Sequence, residues 1–346
     1  MYILKPQVKK KSFVQRLSLF KTTNPSIVKG NVREQMLWVI PALLLLFIFV
    51  FMAGASIFKN AFNANADTPT KGDFEFTFDN FKNLFKDDEF ARSIKTSFYY
   101  ALIVVPTSLF LALFIANALT GIKNKRLFKF FQTSLFMPYV ANFMAVSLAF
   151  NNIFGASIYN RANSFLSWFN KDFQSINFRE KGGFWILVVF GIWQALPFKV
   201  LILTTALFRI KNRYTRAASI DGMAKWKQFW KITIPLLMPT IFFLTTMNLI
   251  TSFKVFPIGL FPKYSDAQTY NVTTVIHFIF NFARGQYSKR AISAPASIIL
   301  MLLILAMTIA QKLINSFVSN YKLRRKVFMP FKNAYRKIKK LGANYG

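Results

Sequence analysis

Cysteine is absent and histidine occurs once, as His277. The chain therefore has no disulfides, thiol nucleophiles, iron–sulfur clusters or Cys/His zinc sites. A Ser–His–Asp triad would have to be built around His277 alone. Acidic residues are also scarce, twelve against 45 Lys and Arg, and the formal net charge is +33 over 346 residues. A chain this basic first suggests nucleic acid. The apolar content argues against it: 54% of residues are hydrophobic and only 16% are charged. A disordered basic tail is excluded for the same reason, since disorder requires low hydrophobicity. What remains is an integral membrane protein with basic ends and no nucleic-acid partner.

Crossing a bilayer core as helix takes about 20 mostly apolar residues. Six runs meet this: Met36–Phe58, Thr96–Leu119, Phe131–Gly155, Phe184–Phe208, Ile232–Phe253 and Ile292–Gln311. The small triplet Ala53-Gly54-Ala55 after the first run resembles a cleavage site. The apolar stretch before it is already long enough to span, so it reads as a helix rather than a signal core. None of the six runs contains Asp or Glu.

Orientation follows from the distribution of Lys and Arg. Segments 1–35, 120–130, 209–231 and 312–346 together carry 29, whereas 59–95, 156–183 and 254–291 carry 15. Only Glu34 and Asp221 lie on the first side; the other ten acids lie on the second. Both termini are therefore expected in the cytoplasm. The expected organisation is a basic N-terminus over 1–35, a six-span domain over 36–311 and a basic C-terminus over 312–346. The basic ends suit the anionic lipids of the inner leaflet. The connecting segments are too short for a soluble enzyme domain. No G-x-x-x-x-G-K phosphate loop occurs, so any ATP-driven work needs another chain to hydrolyse the nucleotide.

The third inner segment, between the fourth and fifth runs, is the most informative. It begins as a short helix through Ala217 and Ala218, which favour helix. Asp221-Gly222 breaks it, because glycine accepts turns that other residues resist. Trp226, Phe229 and Trp230 then fall on one helical face, away from most of Lys225, Lys227 and Lys231. Pro235 and Pro239 open the fifth run. Two readings fit: an interfacial loop anchored by Trp and snorkelling Lys, or a compact apolar knob offered to a soluble partner.

This stretch resembles the EAA motif of bacterial ABC importer permeases. Ala217, Ala218, Asp221, Gly222, Phe229, Ile232, Pro235 and Pro239 match it. Arg216 stands where that family usually has Glu, and Met223 where it usually has Ala. Further similarities occur in order: Phe78-Asp79-Asn80-Phe81, Met137-Pro138, Trp193-Gln194-Ala195-Leu196-Pro197-Phe198 and Ser252-Phe253-Lys254-Val255-Phe256. They cover residues 76–315 and resemble the carbohydrate-type subfamily, including maltose- and glycerol-3-phosphate-type permeases. The G-G-P that usually follows span five is replaced by Gly-Leu-Phe-Pro at 259–262.

The resemblance implies an all-α polytopic protein of the type I importer permease fold, located in the plasma membrane and not itself an enzyme. It implies a second permease subunit, in a heterodimer, two ABC ATPase subunits inside and an extracellular solute-binding protein. ATP would bind the ATPases, and this chain would hold no cofactor or metal. The 213–235 loop would couple to the ATPases through Arg216, Ala217, Ala218, Asp221, Gly222, Trp226, Phe229, Ile232 and Pro235. Polar residues inside apolar spans usually face the bundle interior. Asn142, Gln194, Lys199, Thr245, Thr246 and Asn248 are thus candidates for a substrate path, or for bonds between neighbouring helices. Amides and hydroxyls suit a sugar, and Lys199 or Lys254 an anion.

Other readings remain. An ion-driven transporter would normally place carboxylates in its spans. The solute could also be a polyamine, phosphate or peptide. The stretch Phe78–Lys95, with Phe81, Leu84, Phe85, Phe90 and Ile94, is expected to form an amphipathic helix on the outer surface.

Overall fold

A computed structural model describes residues 32–68, 74–155, 160–169, 177–210, 212–284 and 289–342. Residues 1–31 of the expected basic N-terminus lie outside the described residues. The described chain is helical; its one β feature is an isolated bridge between Asn63 and Phe76. Contacts divide the chain into two units, residues 1–56 and 57–346.

The first unit carries α1 (Val32–Leu46), a π-helical segment, Phe47–Met52, and the start of α2 (Ala53–Ala61), which ends in the second unit. Met36–Ala61 is long and apolar enough to cross a membrane, and its large apolar side chains are exposed. This agrees with a surface meant for lipid or protein rather than water.

The second unit is organised around α4 (Asp88–Thr120), preceded by the short α3 (Asp79–Phe85). Ser93, Ser97, Ala101, Ser108, Ala112 and Ala116 form a buried seam of small residues along α4. Their spacing near four places them on one face, and small side chains let helix backbones approach closely within a membrane. Against this seam packs α8 (Phe178–Arg209), whose Gly182 is non-helical, so that the apolar span starts there. Tyr100 of α4 lies over Gly191 of α8, where an added Cβ would fall on its hydroxyl. Towards the other end, Ala112, Ala116 and Leu119 pack with Val200 and Leu203 of α8, and with Leu244 of α11 (Ile234–Phe253).

Between α4 and α8 lie α5 (Lys125–Val140), α6 (Phe143–Phe154) and α7 (Arg161–Phe169). The third expected span is not one straight helix. It is the pair α5 and α6, bent by 95°. Ala141 and Asn142 adopt extended backbone, and Asn142 Oδ1 accepts from the amides of Met144 (2.9 Å) and Ala145 (3.4 Å). An asparagine cap starts a new helix where the hydropathy suggested continuity. The other five spans appear as Met36–Ala61, Asp88–Thr120, Gly182–Arg209, Lys225–Phe253 and Arg290–Phe317. The last belongs to α14, which runs from Arg290 to Gly342.

The expected outer amphipathic helix over Phe78–Lys95 is also corrected. Asp87 ends it by capping α4, accepting from Glu89 N and Phe90 N. Phe90 therefore belongs to α4 and is buried with Leu84 against Phe253, Val275 and Phe278. Asn80 of α3 is buried and donates to the carbonyls of Ala61 (3.1 Å) and Asn63 (2.9 Å).

Beyond α11, α12 (Tyr264–Thr269) and α13 (Val275–Arg284) fold over the ends of α4 and α8. The Val275 amide donates to Ser97 Oγ (3.0 Å), and the Tyr264 hydroxyl donates to Glu89. Buried Arg179 of α8 donates to Asn151 and to the Leu260 carbonyl (2.5 Å), and lies 3.9 Å from Asp266. These ties hold α6, α8 and the 260s together.

Gly191→Ala should destabilise the protein by about 1–3 kcal/mol, the usual cost of overpacking a filled core. Tyr100→Phe in the same chain should recover part of the loss by vacating the hydroxyl. Thermal unfolding of the detergent-solubilised protein reads this, and an unchanged midpoint for Gly191→Ala would refute the close approach.

Candidate functional site

The informative segment between the fourth and fifth runs folds as a helix, a tight turn and a second helix: α9 (Asn212–Ile220), a turn at Asp221-Gly222, and α10 (Lys225–Gln228). Gly222 has φ +70°, and an added Cβ there would meet no neighbour within 4 Å. The demand for glycine is thus one of backbone conformation, not of space. The Met223 amide donates to the Ala218 carbonyl (2.9 Å) and the Gly222 amide to the Ser219 carbonyl (3.1 Å). These are the two bonds of a Schellman motif, with Asp221 as C-cap and Gly222 just beyond it.

Gln228, which the sequence reading passed over, closes the turn from the other side. Its Nε2 donates to Ser219 Oγ (3.0 Å) and to the Met223 carbonyl (2.7 Å), and its side chain is buried. One amide thereby clamps α9 to α10. Its only sequence signal was a neutral polar residue among lysines on a short amphipathic helix.

Trp226, Phe229 and Trp230 form an aromatic cluster with ring centroids 5.6–6.5 Å apart. Trp226 is 69% exposed, Trp230 45% and Ile220 86%. Ala218 is buried inside the turn, whereas Ala217 and Asp221 are exposed. Arg216 lies on the backbone of α9. A π-helical segment, Phe229–Thr233, joins α10 to α11 and contains half-buried Ile232, with Pro235 in the first turn of α11. Such widened turns are frequent at functional positions. The result is a compact knob with apolar side chains on its outside, fixed to the start of a membrane-length helix.

The polar residues within the spans separate into two groups. Gln194, Lys199 and Asn248 line one cleft of about 680 Å³ between α4, α8 and α11, as does Lys254 at the end of α11. Asn142 is not in that lining, because it caps α6. Thr245 and Thr246 are also outside it; their hydroxyls donate back to the carbonyls of Ile241 (2.8 Å) and Phe242 (2.9 Å). This local bonding is the usual alternative for a hydroxyl in a helix.

A three-helix polar node borders the cleft through Lys199 and Asn248. Lys199 Nζ of α8 donates to Ser108 Oγ of α4 (2.5 Å). Asn248 Nδ2 of α11 donates to the same oxygen (3.2 Å) and to the Val105 carbonyl (3.3 Å). Ser108 in turn donates to the Val104 carbonyl. Ser108 was not foreseen; a single hydroxyl in an apolar run is a weak signal.

His277 is 3% exposed, and its ring packs edge-on against Phe256 and Tyr264. Burial takes its pKa down to about 4, so the imidazole is neutral near pH 7. Its surroundings are those of a packed ring rather than a catalytic base. Burial and the adjoining Glu89 carboxylate push the Tyr264 phenol well above its ordinary value.

Comparison with known proteins agrees with this architecture. Residues 90–320 match the family described as "Binding-protein-dependent transport system inner membrane component". The probable ABC transporter permease protein MG188 homolog of Mycoplasma pneumoniae is 32% identical, over 76% of this chain and 79% of its own. The sn-glycerol-3-phosphate transport system permease protein UgpA of Shigella dysenteriae is 29% identical, over 67% of this chain and 77% of its own. Among solved structures, a bacterial ABC transporter involved in import of the acidic polysaccharide alginate has the same fold. Its TM-score is 0.69 at 21% identity, covering 83% of this chain and 96% of that one. A bacterial alginate ABC transporter in complex with alginate pentasaccharide-bound periplasmic protein matches with a TM-score of 0.68, at 20% identity and over 81% of this chain and 93% of that one. A multi-pass helical chain with this knob and this order of spans belongs to the binding-protein-dependent inner membrane components, the permease subunits of ABC importers.

Proposed function

We propose that this chain forms half of the translocation path for a polyhydroxylated solute of the sugar or sugar-phosphate type. The helix–turn–helix knob over 212–235 docks on an ATP-hydrolysing partner. The observation that carries this reading is the knob itself, with its left-handed Gly222, the Gln228 clamp and the exposed Ile220, Trp226 and Trp230. A buried amide clamp and a glycine-dependent turn make a small rigid body, which can transmit a push. An interfacial loop serving only as a lipid anchor has no need of either.

The partners are two ABC ATPase subunits, a second permease subunit and an extracellular solute-binding protein. ATP is bound by the ATPases; this chain supplies neither a nucleotide site nor a catalytic group. Closure of the ATPase pair moves the knob, and the spans change between inward- and outward-open arrangements, a two-state element biased by a remote ligand. Both termini lie in the cytoplasm, following the excess of Lys and Arg on that side. The alginate transporter and the glycerol-3-phosphate permease support a hydroxyl-rich solute, as does a cleft lined by Gln194 and Asn248. Membership of this family also weighs against the ion-driven alternative.

Gly222→Val should leave the protein in the membrane yet lower ATP-driven uptake at least tenfold, since a β-branched residue resists positive φ. Gly222→Asn, which tolerates that conformation, should keep most uptake. Normal uptake by Gly222→Val would remove the coupling role. Because the native chain has no cysteine, Lys123→Cys and Lys82→Cys can be labelled singly with a membrane-impermeant maleimide. Lys123→Cys should react only in inside-out vesicles and Lys82→Cys only in intact cells. The reverse pattern would invert the orientation.

A further inference from the structure

The Lys199 ammonium is the one charge inside the apolar core of the spans, and it is 3% exposed. A charge at that position is costly unless something answers it. Among the described residues no carboxylate pairs with it; the ion pairs are Lys82–Asp79 and Arg179–Asp266. Its protein partner is a neutral hydroxyl, Ser108 Oγ, which already receives a second donor from Asn248. Three helices thus converge to orient a cation without neutralising it. The ammonium has three protons, and Ser108 takes one. The cleft has a second cation, Lys254, and among the described residues no Asp or Glu lines it.

We propose that this node is an anion subsite: the imported solute carries a phosphate or carboxylate group that pairs with Lys199 during passage. The inference rests on the reading of the chain as an importer permease and narrows its solute to an anionic one. Gln194 and Asn248, in the same lining, offer amides to the hydroxyls of such a solute. Position excludes a lipid headgroup as the natural counter-ion. Lys199 lies ten residues from Arg209 at the end of its span, about 15 Å of helix, whereas headgroups lie at the surfaces. Transient pairing also suits transport. A permanent carboxylate partner would hold the lysine in one state, whereas a solute that arrives and leaves with the charge need not be held.

The test is lysine-selective reductive methylation of the complete detergent-purified importer, with modification of Lys199 quantified by mass spectrometry. Four probes are compared at equal concentration: sn-glycerol 3-phosphate, glucuronate, glycerol and glucose. We expect one or both anions to slow modification of Lys199 at least threefold, and glycerol and glucose to leave it unchanged. Protection by sn-glycerol 3-phosphate alone assigns a phosphate subsite, and protection by glucuronate alone assigns a carboxylate subsite. Equal effects of anions and neutral compounds, or a Lys199 that the reagent never reaches, overturn the proposal. A parallel Ser108→Ala importer should lose the anion protection while Lys199 stays reactive; protection unchanged in that variant also counts against the node. Failure of the subsite is distinguishable from failure of the importer reading. The latter fails only if the wild-type chain copurifies with no ATPase and supports no ATP-driven uptake.

Discussion

The small-residue seam of α4 is the constraint on which the second unit depends. In a membrane the hydrophobic effect does little to bring helices together, so association rests on close packing and a few polar bonds. Ser93, Ser97, Ala101, Ser108, Ala112 and Ala116 supply both. Alanines let α8 and α11 approach; serines bond across the gap, Ser97 to the Val275 amide and Ser108 to Lys199 and Asn248. Tyr100 over Gly191 shows how tight the approach is, since not even a methyl group fits there. The cover formed by α12 and α13 is secured to the same helix through Ser97 and Glu89.

One helix joins the two candidate sites. The knob ends in the π-helical segment Phe229–Thr233, which continues into α11, and α11 carries Asn248 to the polar node. Fifteen residues separate Thr233 from Asn248, about 22 Å of helix. On the proposed reading, a push on the knob would be delivered along this helix to the node beside the cleft. The clamp by Gln228 matters for the same reason: a loose loop would absorb the displacement, whereas a clamped one passes it on.

Much of this was legible in the residues. Five spans fall within a few residues of their apolar runs at most ends; α4 begins earlier, because Asp87 caps it at Asp88. The helix–Gly–helix shape follows from Ala217, Ala218 and Asp221-Gly222, and the positive φ of Gly222 is what that spacing required. Three of the path candidates, Asn142, Thr245 and Thr246, bond to their own local backbone, a use that looks the same in sequence as lining a path. Ser108 and Gln228 were overlooked because their importance comes from partners distant in the chain, 91 residues in the case of Lys199 and Ser108. Lys199, Gln194 and Asn248 were foreseen as polar, but that they share one cleft is a fact of packing alone.

The central claim is that the 212–235 knob meets an ATP-hydrolysing subunit. It is tested most directly by placing a photo-crosslinking residue, p-benzoylphenylalanine, at position 220 of the full-length chain in its native membrane. Irradiation should yield a covalent product containing this chain and the copurifying ATPase. A knob that forms adducts only with lipid, while the complex remains intact, would contradict the account and return the segment to a simple interfacial anchor.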